Sequence, residues 1–348
     1  MRTAVVILNW NTADYLKAFL PGVFDSCEGI ADLYVADNAS TDGSVAVLAN
    51  DFPGVKSILL DRNYGFTGGY NRVLDQLEGY EYFVLLNSDI EVDKGWLEPL
   101  VEWMDKHPRS GVCGPKLHGL EMGEDGRTAR KGTFEYAGAA GGLLDRYGFP
   151  YCRGRVLSRV AEDTGQYDTP ADVLWITGAC LVTRASLWKD LGGLDGRFFA
   201  HCEEIDYCWR AQLSGWTVTV VPQSTVWHLG GGTLPQNSPF KLQLNFRNNL
   251  LMLANNLAPT YVTMGIAPEK AARKADRMLR RRMFLDNLAK IAYICTGRIE
   301  YAKAVRKAHA EFRELLPKAP ERKYSGLGSV KGWTRRCILL TGYKTDKI

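Results

Sequence analysis

Short apolar runs alternate with helix-like segments along the first third of the chain. Four runs rich in β-branched or aromatic residues, each followed by turn residues, lie at residues 3–8, 33–36, 55–60 and 82–86. Between the first two, Tyr15, Phe19 and Leu20 recur at helical spacing. This alternation is typical of parallel βαβ units, and it predicts an α/β fold with a doubly wound, mostly parallel sheet.

Polar residues stand at the ends of these predicted strands. They are Asn9-Trp10-Asn11, Asp37-Asn38, Asp61-Arg62-Asn63 and Asn87-Ser88-Asp89. In open α/β sheets, ligands bind beyond the carboxyl ends of the strands. We therefore expect the four polar strand ends to meet in one crevice.

The rest of the chain contains an irregular insertion and then a series of long helices. Residues 119–170 are rich in Gly, Arg and Asp, and they predict a partly ordered insertion over the acceptor side of the crevice. The later patterns predict strands at 173–183 and 217–221, a helix at 203–213, and long helices at 242–257, 269–295 and 299–316. We divide the chain into a catalytic domain, residues 1–236, and a helical region, residues 237–348.

Charge separates these two parts. Residues 1–267 hold 22 Lys/Arg and 31 Asp/Glu, a net charge of −9, whereas residues 268–348 hold 21 and 8, a net charge of +13. In the second part, Leu285, Leu288, Ala292 and Cys295 share a helical face just after an arginine-rich stretch. Basic amphipathic helices bind anionic membrane surfaces. The alternative is a solvated helical bundle docked on the acidic part.

Composition also bears on nucleic-acid binding and on the location of the protein in the cell. Nucleic-acid binding explains the basic region but not an acidic crevice, so we predict no nucleic-acid partner.

The chain lacks an apolar segment of about 20 residues, the length needed to span a bilayer. Its eight cysteines form no CxxC pair and lie in apolar patterns, which predicts reduced, buried thiols. We expect a cytoplasmic protein at the inner face of the cell membrane.

Several segments, taken together, resemble a known family. They are 5–11 (VVILNWN), 35–44 (VADNASTDGS), 63–71 (NYGFTGGYN), 85–89 (LLNSD), 198–210 (FFAHCEEIDYCWR) and Trp227-His228. The chain resembles family 2 glycosyltransferases, particularly bacterial rhamnosyltransferase-like members, over about residues 3–250. The resemblance implies a GT-A type fold, here with a C-terminal helical extension.

The resemblance implies a binding site for a nucleotide-sugar donor. Asp37 is expected to accept the imide N–H of uracil or thymine, although an Asp here also serves as a helix cap. Gly65 and Gly68 are expected to let the backbone and a helix N-terminus approach phosphate, although a plain turn fits as well. The other expected donor-binding residues are Asn9, Asn11, Asn63, Asn71, Asn87 and Ser88.

The resemblance also implies a divalent metal, Mg²⁺ or Mn²⁺. Asn87-Ser88-Asp89 stands where relatives carry an Asp-x-Asp motif, so Asp89 is expected to bind the metal. Because Asn replaces the first Asp, only one carboxylate is available, and His228 is the candidate second ligand. Taken alone, Asp89 fits a turn and His228 fits an ordinary hydrogen-bonding residue.

The general base is expected at Glu203-Glu204. In relatives the second acid of an adjacent pair takes the proton, which corresponds to Glu204, with Glu203 as the substitute. Acidic residues in a first helical turn are also favoured by the helix dipole alone. The segment from Gly230 to Leu234 is a candidate for closing over the donor, or it is an ordinary flexible loop.

These residues predict an inverting glycosyltransferase. It moves a sugar from dTDP-rhamnose or a UDP-hexose to a hydroxyl of a glycan or lipid-linked acceptor in cell-surface polysaccharide assembly. The alternative is a nucleotidyltransferase, or a non-catalytic nucleotide-sugar-binding protein, of the same fold.

Overall fold

The computed structural model describes residues 1–230, 238–320, 322, 324, 328–334 and 337–338. The strands are β1 (Thr3–Asn9), β2 (Asp32–Asp37), β3 (Lys56–Leu59), β4 (Tyr82–Leu86), β5 (Ile90–Val92), β6 (Ser110–Met122), β7 (Thr128–Phe134), β8 (Gly142–Leu144), β9 (Pro150–Cys152), β10 (Arg155–Val156), β11 (Arg159–Val160), β12 (Ala171–Asp172), β13 (Cys180–Arg184) and β14 (Thr217–His228). The helices are α1 (Ala13–Cys27), α2 (Ser44–Asp51), α3 (Gly65–Leu74), α4 (Glu98–Lys106), α5 (Ala185–Leu191), α6 (Glu203–Leu213), α7 (Pro239–Thr263), α8 (Pro268–Cys295) and α9 (Ile299–Leu315).

The main sheet has the order β12-β14-β6-β13-β4-β1-β2-β3, with β5 added to β14 and β7 added to β6. Strands β1 to β4 pair in parallel, as do β6 and β14, whereas β13 is antiparallel to both of its neighbours. Apolar clusters cover both faces of the sheet. The prediction of a mostly parallel α/β sheet with a helical C-terminal region is confirmed.

Strand β14 is longer than the predicted strand at 217–221. Its pairing with β6 shifts register between Val220 and Thr225, and the strand then continues to His228. A bulge of this kind bends a strand without ending it, so Pro222 in this stretch does not terminate β14. The longer β14 is what carries His228 to the polar edge of the sheet.

The insertion at 119–170 is more regular than its sequence pattern indicates. It contains β7, which extends the main sheet, and a separate antiparallel sheet of order β11-β10-β9-β8. These last four strands are only two or three residues long. Such short strands leave too few residues for an alternating pattern to be recognisable.

Helices α7, α8 and α9 pack together and against α6. The bounds of α8 and α9 lie within one residue of the predicted ones, whereas α7 extends beyond the predicted 242–257 at both ends. In the described parts of the chain, no helix combines the length and the apolar character needed to cross a bilayer. The proposed boundary at 236/237 falls at residues outside the described ones, so the division into two domains stays a prediction.

Six of the eight cysteines are buried, as their apolar sequence patterns predicted. Burial raises the pKa of Cys27 and of Cys208 to about 12. Such thiols are inert and act as small apolar side chains. Cys202 is partly exposed and Cys295 is exposed.

Candidate functional site

The pairing of β5 with β14 brings Asp89 and His228 together. In this antiparallel pair His228 lies opposite Ile90, the residue after Asp89. Asp89 Oδ1 is 3.2 Å from His228 Nε2, and both side chains are buried. Two residues that are 139 positions apart therefore form one contact at the edge of the sheet, and their role as metal ligands stays a prediction.

A third buried side chain, Glu135, contacts the other side of the imidazole. Its Oε1 lies 3.3 Å from His228 Nδ1, and its backbone N–H donates to Leu117 O at 2.9 Å. Burial alone lowers the pKa of His228, but the carboxylates of Asp89 and Glu135 outweigh burial and raise it to about 10. Sequence reasoning missed Glu135 because it lies in the insertion, where no motif marks it.

The Asp89–His228 pair fits a small metal site. In the portion of the chain that the structure describes, no group of three or more His, Cys, Asp or Glu side chains is arranged to hold a metal. Mg²⁺ and Mn²⁺ need only one or two protein ligands when phosphate and water oxygens complete the coordination. Burial raises the pKa of Asp89, but the adjacent His228 outweighs this and lowers it, so the carboxylate is ionised.

Asn87 and Ser88 lie at the same edge. Asn87 Nδ2 is 3.4 Å from His228 Nε2, and Asn87 N donates to Ala179 O at 2.9 Å. The hydroxyl of Thr12 donates to Ser88 Oγ at 2.9 Å. The end of β4 is thus joined to the loop after β1 and to the segment before β13.

The two candidate bases, Glu203 and Glu204, begin helix α6 as predicted. Glu203 is buried, whereas Glu204 is partly exposed, and one carboxylate oxygen of each has no hydrogen-bond partner. Burial raises the pKa of Glu204 to about 7. Burial and the charge of Glu204 raise the pKa of Glu203 well above its usual range. Glu204 is therefore the more readily ionised and the more accessible of the two.

Glu204 packs against the segment before β13, which also bonds the end of β4. A Cβ built on Gly178 would stand 3.7 Å from Glu204 Cβ, and Gly178 adjoins the residue that Asn87 N bonds. Burial raises the pKa of the Cys152 thiol, Arg155 lowers it, and the carboxylates of Glu135 and Glu204 raise it, so both acids act electrostatically on this one thiol.

Asp37, which was expected to bind the nucleotide base, is buried and hydrogen-bonded within the protein. Its Oδ1 accepts from Asn9 Nδ2 at 2.8 Å, and its Oδ2 accepts from Ser40 N at 2.8 Å. Asp37 does not cap helix α2, because Asp42 Oδ1 accepts the N–H of Ser44, the first residue of that helix. Asp37 instead holds the turn that follows β2.

Asn11 and Asn63 shape the loops on either side of that turn. Asn11, in a left-handed conformation, accepts the N–H of Thr41 at 2.7 Å through its side chain. Asn63 Oδ1 accepts the N–H of Gly65 at 2.7 Å. Both residues are exposed, so they remain accessible to a ligand at this end of the crevice.

Packing accounts for the glycines of helix α3. At Gly65, which has a φ of 69°, a Cβ would stand 2.4 Å from the ring of Phe199. The N–H groups of Phe66 and Thr67 donate to Phe199 O at 2.8 and 3.1 Å. This carbonyl occupies two of the N–H groups that were expected to face phosphate. Gly68 is partly exposed against Tyr64.

Asn71 braces the loop after α5. Its Nδ2 donates to Leu194 O at 2.8 Å, and its Oδ1 accepts from Leu194 N at 2.9 Å. Both polar atoms of the Asn71 side chain therefore bond the backbone of Leu194. The structure does not bring this side chain together with the other expected donor-binding residues. The candidate closing segment starts at Gly230 and continues into residues 231–237, outside the described residues.

Residues 4–159 match the sequence model of Glycosyl transferase family 2. An N-acetylglucosaminyl-diphospho-decaprenol L-rhamnosyltransferase of Mycobacterium tuberculosis is 23% identical over 261 residues, which cover 72% of this chain and 83% of that protein. The low-salt glycan biosynthesis hexosyltransferase Agl10 of Haloferax volcanii is 22% identical, covering 71% of this chain and 74% of that protein.

Solved structures resemble the fold. GalNAc-T7 with UDP, GalNAc and Mn²⁺ superposes with a TM-score of 0.54 at 16% identity, covering 73% of this chain and 47% of that chain. The mannosyltransferase PcManGT from Pyrobaculum calidifontis, with GDP-Man and Mn²⁺, superposes with a TM-score of 0.50 at 13% identity, covering 92% and 88%. The expected GT-A type fold is confirmed. Residues 4–159 thus carry a match to Glycosyl transferase family 2, and the chain is similar to an L-rhamnosyltransferase over 72% of its length.

Proposed function

We propose that this enzyme transfers a sugar, with inversion, from a nucleoside-diphosphate donor to a hydroxyl of a glycan or lipid-linked acceptor. The observation that carries the proposal is the Asp89–His228 contact, together with the partly exposed Glu204 of helix α6 packed beside Gly178, next to the residue that bonds Asn87. A metal-binding pair beside an accessible carboxylate supplies the groups that a direct displacement requires. A nucleotidyltransferase or a mere binding protein has no need of Glu204.

For the donor we propose dTDP-rhamnose first and a UDP-hexose second. The first choice follows the L-rhamnosyltransferase relative, and the second follows the UDP in the GalNAc-T7 structure. The nucleotide base would lie against the turn held by Asp37 and Asn9, between the exposed amides of Asn11 and Asn63. The diphosphate would extend from there toward Asn87, Ser88 and Asp89.

Asp89 and His228 would hold Mg²⁺ or Mn²⁺ together with the donor diphosphate, and His228 would release its ring proton as the ion binds. The bound ion supplies positive charge to the departing nucleoside diphosphate. Glu135 on Nδ1 would keep the imidazole oriented with Nε2 toward Asp89. Asn87, in place of an acid, adds an amide but no further charge beside His228.

Glu204 would take the proton from the acceptor hydroxyl. A pKa of about 7 leaves a substantial ionised fraction at neutral pH and matches the base to its task. General base catalysis of this kind contributes roughly 10²- to 10⁴-fold to the rate. Glu203, more deeply buried and harder to ionise, would support the site without taking the proton.

We also propose that the C-terminal helices contact an anionic membrane at its cytoplasmic face. In α8, Phe284 is 63% exposed and Ile291 is 52% exposed, on the face that also carries Leu288 and Cys295. Of the face expected from sequence, Leu285 is half-buried. The exposed Arg277 precedes the apolar stretch, so headgroup and acyl-chain contacts would follow each other along one helix.

Vesicle flotation tests the membrane contact. Replacing Phe284 and Ile291 by Ser should abolish binding to phosphatidylglycerol vesicles, with little binding of the unchanged protein to neutral vesicles. The matched control replaces Phe24 and Leu59, two exposed apolar residues of the sheet domain, by Ser. Equal binding by all three proteins, or no binding by the unchanged one, would contradict the proposal.

The catalytic proposal is tested by Glu204→Gln. We expect this variant to retain donor-induced thermal stabilisation in the presence of Mn²⁺ and to lose sugar transfer by about 10²-fold or more. Glu203→Gln is the matched control and should keep most of the activity. Ordinary turnover by Glu204→Gln, or release of pyrophosphate in place of a nucleoside diphosphate, would reject the assignment.

A further inference from the structure

We propose that Asn248, in helix α7, is a positioning residue that sets the location of Glu204. This inference rests on the proposed role of Glu204 as the base. It links the C-terminal helical region to catalysis by a route that is independent of membrane contact. Residues 198–202 form the loop that leads into helix α6.

This loop is held in an unusual conformation. Phe199, His201 and Cys202 have φ values of 65°, 71° and 67°, in the left-handed region that non-glycine residues rarely adopt. Such a conformation is strained, and it persists only where surrounding contacts fix it. Because Cys202 immediately precedes Glu203 and Glu204, the loop conformation determines where both carboxylates emerge.

A single buried amide contacts the loop at three carbonyls. Asn248 Nδ2 lies 2.9 Å from Phe198 O, 2.7 Å from Ala200 O and 2.7 Å from His201 O. Asn248 is fully buried. These contacts bracket the left-handed residue Phe199 and reach the next one, His201, so they act on the strained part of the loop.

The orientation of the amide is itself fixed. Arg247 Nε donates to Asn248 Oδ1 at 2.8 Å, which aims the Nδ2 group at the loop. Arg247 Nη2 also donates to Phe198 O at 2.8 Å, and its Nη1 contacts Glu311 of helix α9 at 3.1 Å. The loop is therefore supported by a chain of contacts that runs back into the helical bundle.

The opposite side of the loop is held by the start of helix α3. Phe199 O, which Asn248 does not contact, accepts the N–H groups of Phe66 and Thr67 at the start of α3. Loss of Asn248 would therefore release the part of the loop that leads to Glu204. The hydrogen bonds from α3 to Phe199 O would remain. A shift of about 1 Å in a reacting group costs up to about 10²-fold in rate.

The test compares Asn248→Ala with Asn249→Ala. Asn249 is an equally buried amide on the same turn of α7, but it bonds Gly148 O and Arg282, away from the loop. We expect Asn248→Ala to lower kcat by about 10- to 100-fold. Donor affinity should stay within about threefold, and the acidic limb of the pH–rate profile should move. Asn249→Ala should lose similar thermal stability while kcat changes little.

Asn248→Ser, which retains one donor in a smaller side chain, should give an intermediate kcat and serves if the alanine variant does not fold. Equal loss of kcat in the Asn248 and Asn249 variants, or an unmoved acidic limb, would overturn the inference. Failure of the proposed function is separate, since it shows as turnover by Glu204→Gln whatever the Asn248 variants do.

Discussion

Arg322 and Asp206 form a buried contact across 116 positions of the chain, with Arg322 Nη1 3.2 Å from Asp206 Oδ1. Asp206 lies two residues after Glu204 and also bonds Arg210 at 2.7 Å and the amides of Asn255 and Asn256 at 2.8 Å. Burial raises the pKa of Asp206, but Arg210 and Arg322 outweigh it and lower the pKa to about 2. The C-terminal segment thus bonds the helix that carries the proposed base.

Arg322→Gln should destabilise the protein by about 1–3 kcal/mol, because it removes charged hydrogen bonds from Asp206 and from Asp195. Urea unfolding measures the change. Arg280→Gln is the control: Arg280 pairs with Asp276 on an exposed surface, where an ion pair contributes about 0–1 kcal/mol. Equal midpoints for the two variants would show that the contact to Asp206 adds no stability.

Glu135→Gln should weaken Mn²⁺ binding about 10- to 100-fold, because it removes the carboxylate that orients His228. Titration calorimetry with the nucleoside diphosphate present gives the affinity without requiring turnover. Glu121→Gln is the control, since this exposed acid of the same insertion pairs with Lys131. Unchanged Mn²⁺ affinity in Glu135→Gln would remove Glu135 from the site.

The transfer rate should rise with pH up to about pH 7 and then level off. A base must be ionised to accept a proton, and burial raises the pKa of Glu204 to about 7, so protonation inactivates it below that pH. The pH dependence of kcat/KM at saturating Mn²⁺ checks this. A rate that is constant down to pH 5, where a carboxyl of ordinary pKa is still ionised, would refute the raised pKa.

Gly65→Ala should be more destabilising than Gly79→Ala. Both glycines have a left-handed φ, 69° and 81°, so both variants incur roughly 1–2 kcal/mol of backbone strain. At Gly65 the new Cβ also overlaps the Phe199 ring, which adds about 1–3 kcal/mol, whereas nothing lies within 4 Å at Gly79. Thermal unfolding of the two variants measures the difference, and equal losses would rule out the close contact with Phe199.

Local patterns in the sequence identify much of the scaffold. Helix α6 begins and ends where its acidic start and Gly215 predict, and β4 ends just before the polar turn that carries Asp89. The placement of Asp89 beside His228 follows from strand ends that share one edge of the sheet. Local patterns were sufficient for the bounds of α6 and β4, because these are encoded within a few neighbouring residues, whereas His228 was expected as the partner of Asp89 only from the family resemblance.

Other features depend on contacts between distant segments. Glu135 reaches His228 only because β6 pairs with both β7 and β14. Gly65 has to be glycine because of Phe199, which lies 134 positions later, whereas the sequence suggested phosphate binding. Asn248 looks like an ordinary polar residue in a helix until the loop carbonyls appear beside it. No local pattern records such pairings.

The carbonyl of Phe199 joins the start of α3 to the loop before α6. Substitutions at the start of α3 would therefore also act on the loop that leads to Glu204, the proposed base. Substitutions on the two sides of this carbonyl should be non-additive, as is usual for groups that share a partner. A library meant to vary α3 should therefore randomise residues 198–202 together with it.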